Sequence, residues 1–477
     1  MQLMDINDIF SASGQLCRGI AGVSDFLWTY VLIAALLCCG LYFTVRTGFM
    51  QFRMVGEMFR LLTRSGAKHD GKHYVSSFQA FTMSLGSAVG TGNLAGVATA
   101  ITIGGPGSVF WMWVIALIGA STSFVETSLA QLFKRRSDDG FIGGPAYYIL
   151  YGLRKRWLAA TFAVLMTITF GLSYNSIQSN TICAAMDGAF GLNRAIVGAV
   201  LALLASVIVF GGIKRIAHAC SVMVPFMAIG YIVVTVLVLV INYDQIPGMF
   251  VLIVKSAFGV EQVSGGALGM AVLAGVKRGL FSNEAGEGSA PNVAATASVS
   301  HPAKQGLMQS LAVFTDTLVV CTCTAFIILL SGLYTTTDLN GIELTQSALN
   351  HHVGNAGTVL IAVAIFFFAF SSIIANYYYG EANIRFLTKK RWVVDVFRLL
   401  SGAVMVMFGA VASLDIVWNI GDVCMALLTI CNLVALAGLC RYAFILLKDY
   451  RSQRKSGESE PVFRGETIPE IKDEIVW

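Results

Sequence analysis

Charge is scarce in this chain. Only 12% of its 477 residues are charged, 56% are hydrophobic and the mean hydropathy is +0.72, whereas soluble domains carry roughly 25% charged residues. That scarcity excludes an ordinary soluble domain and leaves a polytopic membrane protein with the lipid bilayer as its partner. Catalytic motifs are lacking as well. No phosphate loop, nucleophile elbow or catalytic carboxylate pair can be read, and "GTGNLAG" opens no soluble nucleotide-binding unit, so an enzyme is not expected. The first 27 residues hold no basic stretch followed by a cleavage site, so a retained first helix is expected in place of a removed signal peptide. The ten cysteines lack metal-ligand or redox spacing, and His351-His352 has no third ligand, so neither residue type points to a metal site. The net charge of +5 reads as loop topology and calls for no nucleic acid. Nothing in the sequence asks for an organic cofactor or an obligate protein partner.

What is present is a series of apolar runs near the length that spans a bilayer. Eleven are expected, at about 28–45, 76–101, 107–133, 157–183, 195–211, 217–241, 265–295, 304–333, 354–386, 393–413 and 418–447. Basic residues fall in alternate loops. Arg46, Arg53, Arg60, Arg64, Lys68 and Lys72 follow the first run, Lys134, Arg135 and Arg136 the third, Lys214 and Arg215 the fifth, and Lys389, Lys390 and Arg391 the ninth. The other loops hold only Arg18, Arg194 and Lys255. By the positive-inside rule this alternation predicts an inner-membrane protein with its N-terminus outside and its C-terminus in the cytoplasm.

Two runs contain segments that weaken a helix. "SLGSAVGTGNLAGV", Ser84 to Val97, carries Gly86, Gly90, Gly92 and Gly96 among Ser87, Thr91 and Asn93. "LFSNEAGEGSAPN", Leu280 to Asn292, carries Gly286, Gly288 and Pro291 among Ser282, Asn283, Glu284, Glu287 and Ser289. Glycine spaced every fourth residue also serves close helix packing, and Gly96 is assigned to that role. The two segments, however, open the second and seventh runs. An offset of five makes those runs antiparallel, as an inverted five-plus-five repeat requires. The predicted organisation is one all-α transporter domain over 1–477: an extra helix at 28–45, repeats at 76–241 and 265–447, and a tail at 448–477. Broken helices offer amides to an anion and carbonyls to a cation, which fits an amino-acid zwitterion with Na+.

Several blocks resemble one family. "GGPGSVFWMWVIALIGA" (Gly104 to Ala120) is similar to the signature of the alanine/glycine:cation symporters, the sodium:alanine symporter family. "TGFMQFR", "GTGNLAGVA", "GGPAYYI", "FSNEAGEGSAPN" and "FAFSSIIANYYYGE" resemble further blocks of that family, and the likeness spans about Thr47 to Arg451. The resemblance implies a LeuT-like fold and Na+-driven uptake of a small neutral amino acid, with H+ used by some members. It implies that Thr91 and Gly92 amides receive the substrate carboxylate. It also implies that carbonyls near Gly86 and Val89 form a sodium site with Phe368, Ser371 and Ser372, and that Asn93 is a side-chain ligand of a second sodium or of the substrate. Membrane serines also back-bond to the preceding turn, which is the competing reading of Ser371-Ser372. One position departs from the family pattern: Glu287 stands where the pattern commonly has Met. It could pair with Lys277 or Arg278, bind a cation, take up a proton or select a different substrate.

The candidate substrate residues are therefore Gly90, Thr91, Gly92, Asn93, Asn175, Gln178, Phe281, Ser282 and Asn283. Asn175 and Gln178 enter because residues three apart share a helix face. Ionisable residues inside a membrane are functional candidates. Glu284, Glu287 and Asp316 are assigned to coupling or gating, whereas Glu126, Glu381 and Asp422 could equally be structural. The expected activity is Na+-coupled alanine or glycine uptake. The alternatives are another amino acid such as glutamine or serine, H+ coupling, and a cation channel.

Overall fold

A backbone in hydrocarbon must satisfy its own N–H and C=O groups, and the apolar runs accordingly fold as helices. The computed structural model describes residues 15–64, 75–137, 140–259 and 265–477. Among the described residues, eight helices are long and apolar enough to cross a membrane: α1 (Gly19–Arg46), α3 (Gly107–Leu132), α4 (Arg156–Phe190), α6 (Gly212–Ile241), α8 (Pro302–Ser331), α9 (Ala356–Leu387), α10 (Arg391–Val411) and α11 (Leu414–Lys455). The other expected runs are the shorter α5 (Arg194–Val209) and two interrupted helices, α2a (Ser77–Ala88) with α2b (Val97–Gly104), and α7a (Gly265–Asn283) with α7b (Ala290–Ala294). Outward positions such as Leu203, Phe226, Val233 and Val411 are exposed and apolar, as a lipid-facing surface requires.

Each half opens with a broken helix. Residues 77–241 hold α2 to α6 and residues 265–455 hold α7 to α11, besides the shorter helices Pro145–Tyr151 and Gly341–Val353, and the pairs that an inverted repeat equates, α3 with α8 and α4 with α9, lie side by side. The helices α2a and α7b pack against each other, and α2a also lies against α6 and α9. Both interruptions are therefore held in the middle of the bundle.

The helix boundaries differ from the hydropathy reading mainly at two ends. The first helix begins well before residue 28, and α11 continues beyond the apolar run to Lys455. The extension of α11 is held by side chains: Tyr450 is fully buried and its hydroxyl donates to Glu57 of the short amphipathic helix Val55–Arg64. The last residues then fold back over the loops on that side. Phe463, Ile468 and Ile471 are buried, the Phe463 amide donates to Ser300 O at 2.9 Å, and the Trp477 indole donates to Gln131 O at 3.0 Å.

Candidate functional site

The first break falls at Val89–Gly90. The helix α2a starts on a capping box between Ser76 and Gln79, and stops where Val89 turns to φ −75°, ψ 91°. A wide turn over Gly92–Gly96 precedes α2b. Gly90 cannot carry a side chain here, because a Cβ would lie 2.4 Å from Ser372 Oγ and 2.7 Å from Gln178 Oε1. The glycine lets α4 and α9 reach the broken backbone. Gly96 does not serve close packing as expected: a Cβ there would meet nothing nearer than 3.8 Å, so its place in the wide turn is the feature to note.

Five neutral oxygens converge beside this break. Ser371 Oγ and Ser372 Oγ both lie 3.0 Å from Gly86 O, and Ser372 Oγ is 3.5 Å from Val89 O. The same hydroxyls lie 2.8 and 3.1 Å from Phe368 O, so the back-bonding alternative is present together with the cross-helix contact. Three carbonyls and two hydroxyls form a donor set suited to a hard monovalent cation. On the other side of the break, the Thr91 amide and hydroxyl donate to Gln178 Oε1 at 2.9 and 2.8 Å. The Thr91 amide is thus aimed at an acceptor, as an anion site requires.

Asn93 makes a second connection. Its Oδ1 accepts from the Gly90 amide at 2.9 Å, and its Nδ2 donates to Asp316 Oδ1 at 2.7 Å. The other oxygen of Asp316 accepts from Ser282 Oγ at 2.6 Å and Thr317 Oγ1 at 2.9 Å, and Asn283 donates to Thr317 at 3.2 Å. Asn93, Ser282 and Asp316 thus link the two breaks through one carboxylate. Phe281 packs between Tyr174 and Trp418, each with its ring centroid 4.8 Å away.

The second break is shaped by positive φ values at Glu284 (55°), Gly286 (96°) and Gly288 (81°). Glycine adopts this region at no steric cost, but Glu284 does not and must be held. Its Oε1 accepts from Ser87 at 2.8 Å and its Oε2 from Ser289 at 2.6 Å. Glu126 of α3 collects the freed amides of Gly286 and Gly288, each at 3.2 Å, and accepts from Asn432 at 2.9 Å. Its role is therefore to hold the break open.

Of the intramembrane carboxylates that Lys277 and Arg278 could neutralise, the structure pairs them with Asp422 and not with Glu284 or Glu287. Asp422 takes both, at 2.7 and 2.9 Å, because α11 brings that carboxylate alongside α7a. Among the described residues, Glu287 reaches only the Tyr174 hydroxyl, at 3.4 Å. Asn175, for its part, donates to Ser401 at 2.9 Å, so its amide fastens α4 to α10 and, unlike Gln178, does not reach the first break. Glu381 pairs with Arg385 and Arg398, a structural role. Sequence reasoning missed Tyr174, Trp418, Asn432 and Asn376, whose Oδ1 lies 2.6 Å from the Ser87 hydroxyl beside the first break. Helical spacing offered a signal for Tyr174 and Asn376, since each lies four residues from Gln178 or Ser372 and so on the same face.

The chain matches known proteins over nearly its whole length. A family model described as the sodium:alanine symporter family matches residues 14–465. The probable sodium/glutamine symporter GlnT of Bacillus subtilis is 50% identical over 94% of each chain. The amino-acid carrier protein AlsT of Bacillus subtilis is 51% identical over 95% of this chain and 96% of its own. The sodium/alanine symporter AgcS of Methanococcus maripaludis is 35% identical over 91% of this chain and 97% of its own. Among solved structures, the L-phenylalanine complex of MhsT superposes with a TM-score of 0.56 at 14% identity, covering 84% of this chain and 93% of that one. At that identity the likeness is one of fold.

Proposed function

The chain belongs to the sodium:alanine symporter family, and on that premise we propose that it takes up a small neutral amino acid, alanine or glycine, into bacteria across the inner membrane with Na+. The observation that carries this reading is the group of five oxygens, Gly86 O, Val89 O, Phe368 O, Ser371 Oγ and Ser372 Oγ, set against the broken α2. In this reading Na+ enters that group. The substrate carboxylate takes the place of Gln178 Oε1 at the Thr91 amide, with Gly92 beside it. Ser282 and Asp316 offer a second set of oxygens, one of them anionic, for another cation or the substrate ammonium, and Asn93 Nδ2 holds the Asp316 carboxylate in place. Phe281 closes over the substrate.

No bond is made or broken during transport. Substrate and ion share α2, so each is expected to raise the affinity of the other. Gly90, Gln178, Ser282 and Glu284 are all buried. Release follows when one group of helices rocks against the other. The alternation of basic loops supports an outside N-terminus and a cytoplasmic C-terminus. Uptake of radiolabelled alanine into proteoliposomes tests the reading. A Na+ gradient should drive accumulation and a Na+-free medium should abolish it. Accumulation driven by a pH gradient alone would assign the coupling to H+, and steady cation current without amino-acid flux would indicate a channel.

A further inference from the structure

We propose that residues 456–477 are a latch on the transport path: docked, they restrain its opening on the side of the basic loops, with the Trp477 ring over Lys134 as the closing contact. The proposal rests on the symport reading and adds regulation to it.

Beyond α11 the chain crosses from one half to the other. Glu460 pairs with Lys304 at the start of α8. Ser300 Oγ donates to Pro461 O at 2.8 Å and the Phe463 amide to Ser300 O at 2.9 Å, in the loop that joins α7b to α8. The tail then reaches the first half. Glu474 lies 3.4 Å from Arg154 and 3.9 Å from Arg135, and the Trp477 indole donates to Gln131 O, at the end of α3, at 3.0 Å. Beneath that indole sits the buried Lys134. Its Nζ is 4.3 Å from the centre of the Trp477 ring and 4.2 Å from that of Phe141. Its hydrogen bonds go to Gln131 Oε1 at 2.8 Å and Ala297 O at 3.2 Å, and among the described residues no carboxylate pairs with it. Two aromatic faces take the place of a counter-ion.

Ala297 connects this contact to both broken helices. It pairs with Val75, the Ser298 amide donating to Val75 O at 3.2 Å, and so joins the end of α7b to the start of α2a. Val75, Thr296 and Phe141 also line a small cavity of about 50 Å³ with Tyr378, Glu381 and Arg385 of α9. That cavity lies where the broken helices meet α9, about two turns along α9 from Ser372. Rocking that opens this side parts α2a and α7b from α9 and so displaces Ala297. Lys134, held by Ala297 and capped by the Trp477 ring, resists that displacement. The pairs Lys304–Glu460 and Arg441–Glu470 involve exposed carboxylates, and each contributes weakly. Much of the hold therefore falls to Lys134, Trp477 and Phe463, the last two meeting edge to face at 5.7 Å. A hold concentrated in so few contacts can be released without unfolding the bundle.

The test uses the full chain in proteoliposomes, with a Na+ gradient driving radiolabelled alanine. Opening is read from the reaction of Val75→Cys with a membrane-impermeant maleimide, corrected for labelling without that substitution. Trp477→Ala should raise both the maximal uptake rate and the labelling rate by about threefold to tenfold, the effect of losing one cation–π contact of this kind. Trp477→Phe, which keeps a ring over Lys134, should change both less. Glu460→Lys, at an exposed position, should move both in the same direction as Trp477→Ala, and it carries the test if Trp477→Ala does not fold. Uptake and labelling unchanged in both variants would overturn the proposal, as would slower uptake with earlier thermal unfolding, the outcome for a tail that only braces the fold. If Na+ drives no alanine uptake in the unaltered protein, the symport reading falls. The labelling then decides alone: faster reaction in Trp477→Ala keeps the latch, and an unchanged rate removes it.

Discussion

Ser372 meets the first break twice: its hydroxyl faces Gly86 O and Val89 O, and it limits Gly90 to glycine. Removing that hydroxyl in Ser372→Ala should raise the Na+ concentration for half-maximal uptake by roughly tenfold, about one charge-assisted contact. Unchanged Na+ dependence in uptake assays would remove Ser372 from the proposed ion site. Asp422 invites a different expectation. It is buried, and removing its charge leaves Lys277 and Arg278 without their common counter-ion. Asp422→Asn should destabilise the fold by about 3–5 kcal/mol, the usual cost of breaking a buried pair, seen as earlier thermal unfolding in detergent. An unshifted transition would show that the pair contributes little. The two sites also differ in how they could be read. Ser371-Ser372 was legible through the family blocks. Asp422 was legible only as a charge in a membrane run, because its partners lie more than a hundred residues away on α7a.

At the scale of elements, the breaks themselves were readable, since glycine and proline clustered with polar residues mark unwound backbone. What holds them was not. Nothing in the local sequence says that Glu126 of α3 takes the amides of Gly286 and Gly288, because that contact depends on how α3 and α7 pack. Glu126→Ala should leave those amides unpaired and cost about 2–4 kcal/mol, measured by chemical or thermal unfolding; native stability in this variant would mean that the break holds without the carboxylate. The C-terminal tail was also illegible as structure, since its polar composition gives no helical period. It is docked by Glu460 on Lys304, and beneath it Glu57 meets Arg60 and Tyr450. The Lys304 hydrogen bond holds the Glu460 carboxyl below its ordinary value of 4.5. Burial pushes Glu57 up, but hydrogen bonds from Arg60 and Tyr450 outweigh it, and Glu57 also lies below 4.5. Both carboxyls are depressed on folding, so their stabilisation is complete above the unfolded value and is lost as pH falls through the folded one. Protease access to residues 456–477 should therefore increase as pH drops below about 4.5; access independent of pH would show that these pairs do not hold the tail.

The whole molecule joins two antiparallel halves at their broken helices, and this arrangement makes coupling a property of the fold. The five-plus-five organisation could be inferred because each half begins with its break; the contacts between halves, Asn93 with Asp316 and Ser87 with Glu284, needed the assembled bundle. In the proposed reading, a site shared between the halves would bind ion and amino acid together, and binding energies linked in this way are reciprocal. The most direct measurement is equilibrium binding of radioactive sodium to the purified protein, with and without saturating alanine. Alanine should tighten sodium binding several-fold, and Ser371→Ala with Ser372→Ala combined should abolish that tightening. Sodium affinity indifferent to alanine, or tightening that survives in the double variant, would contradict the account.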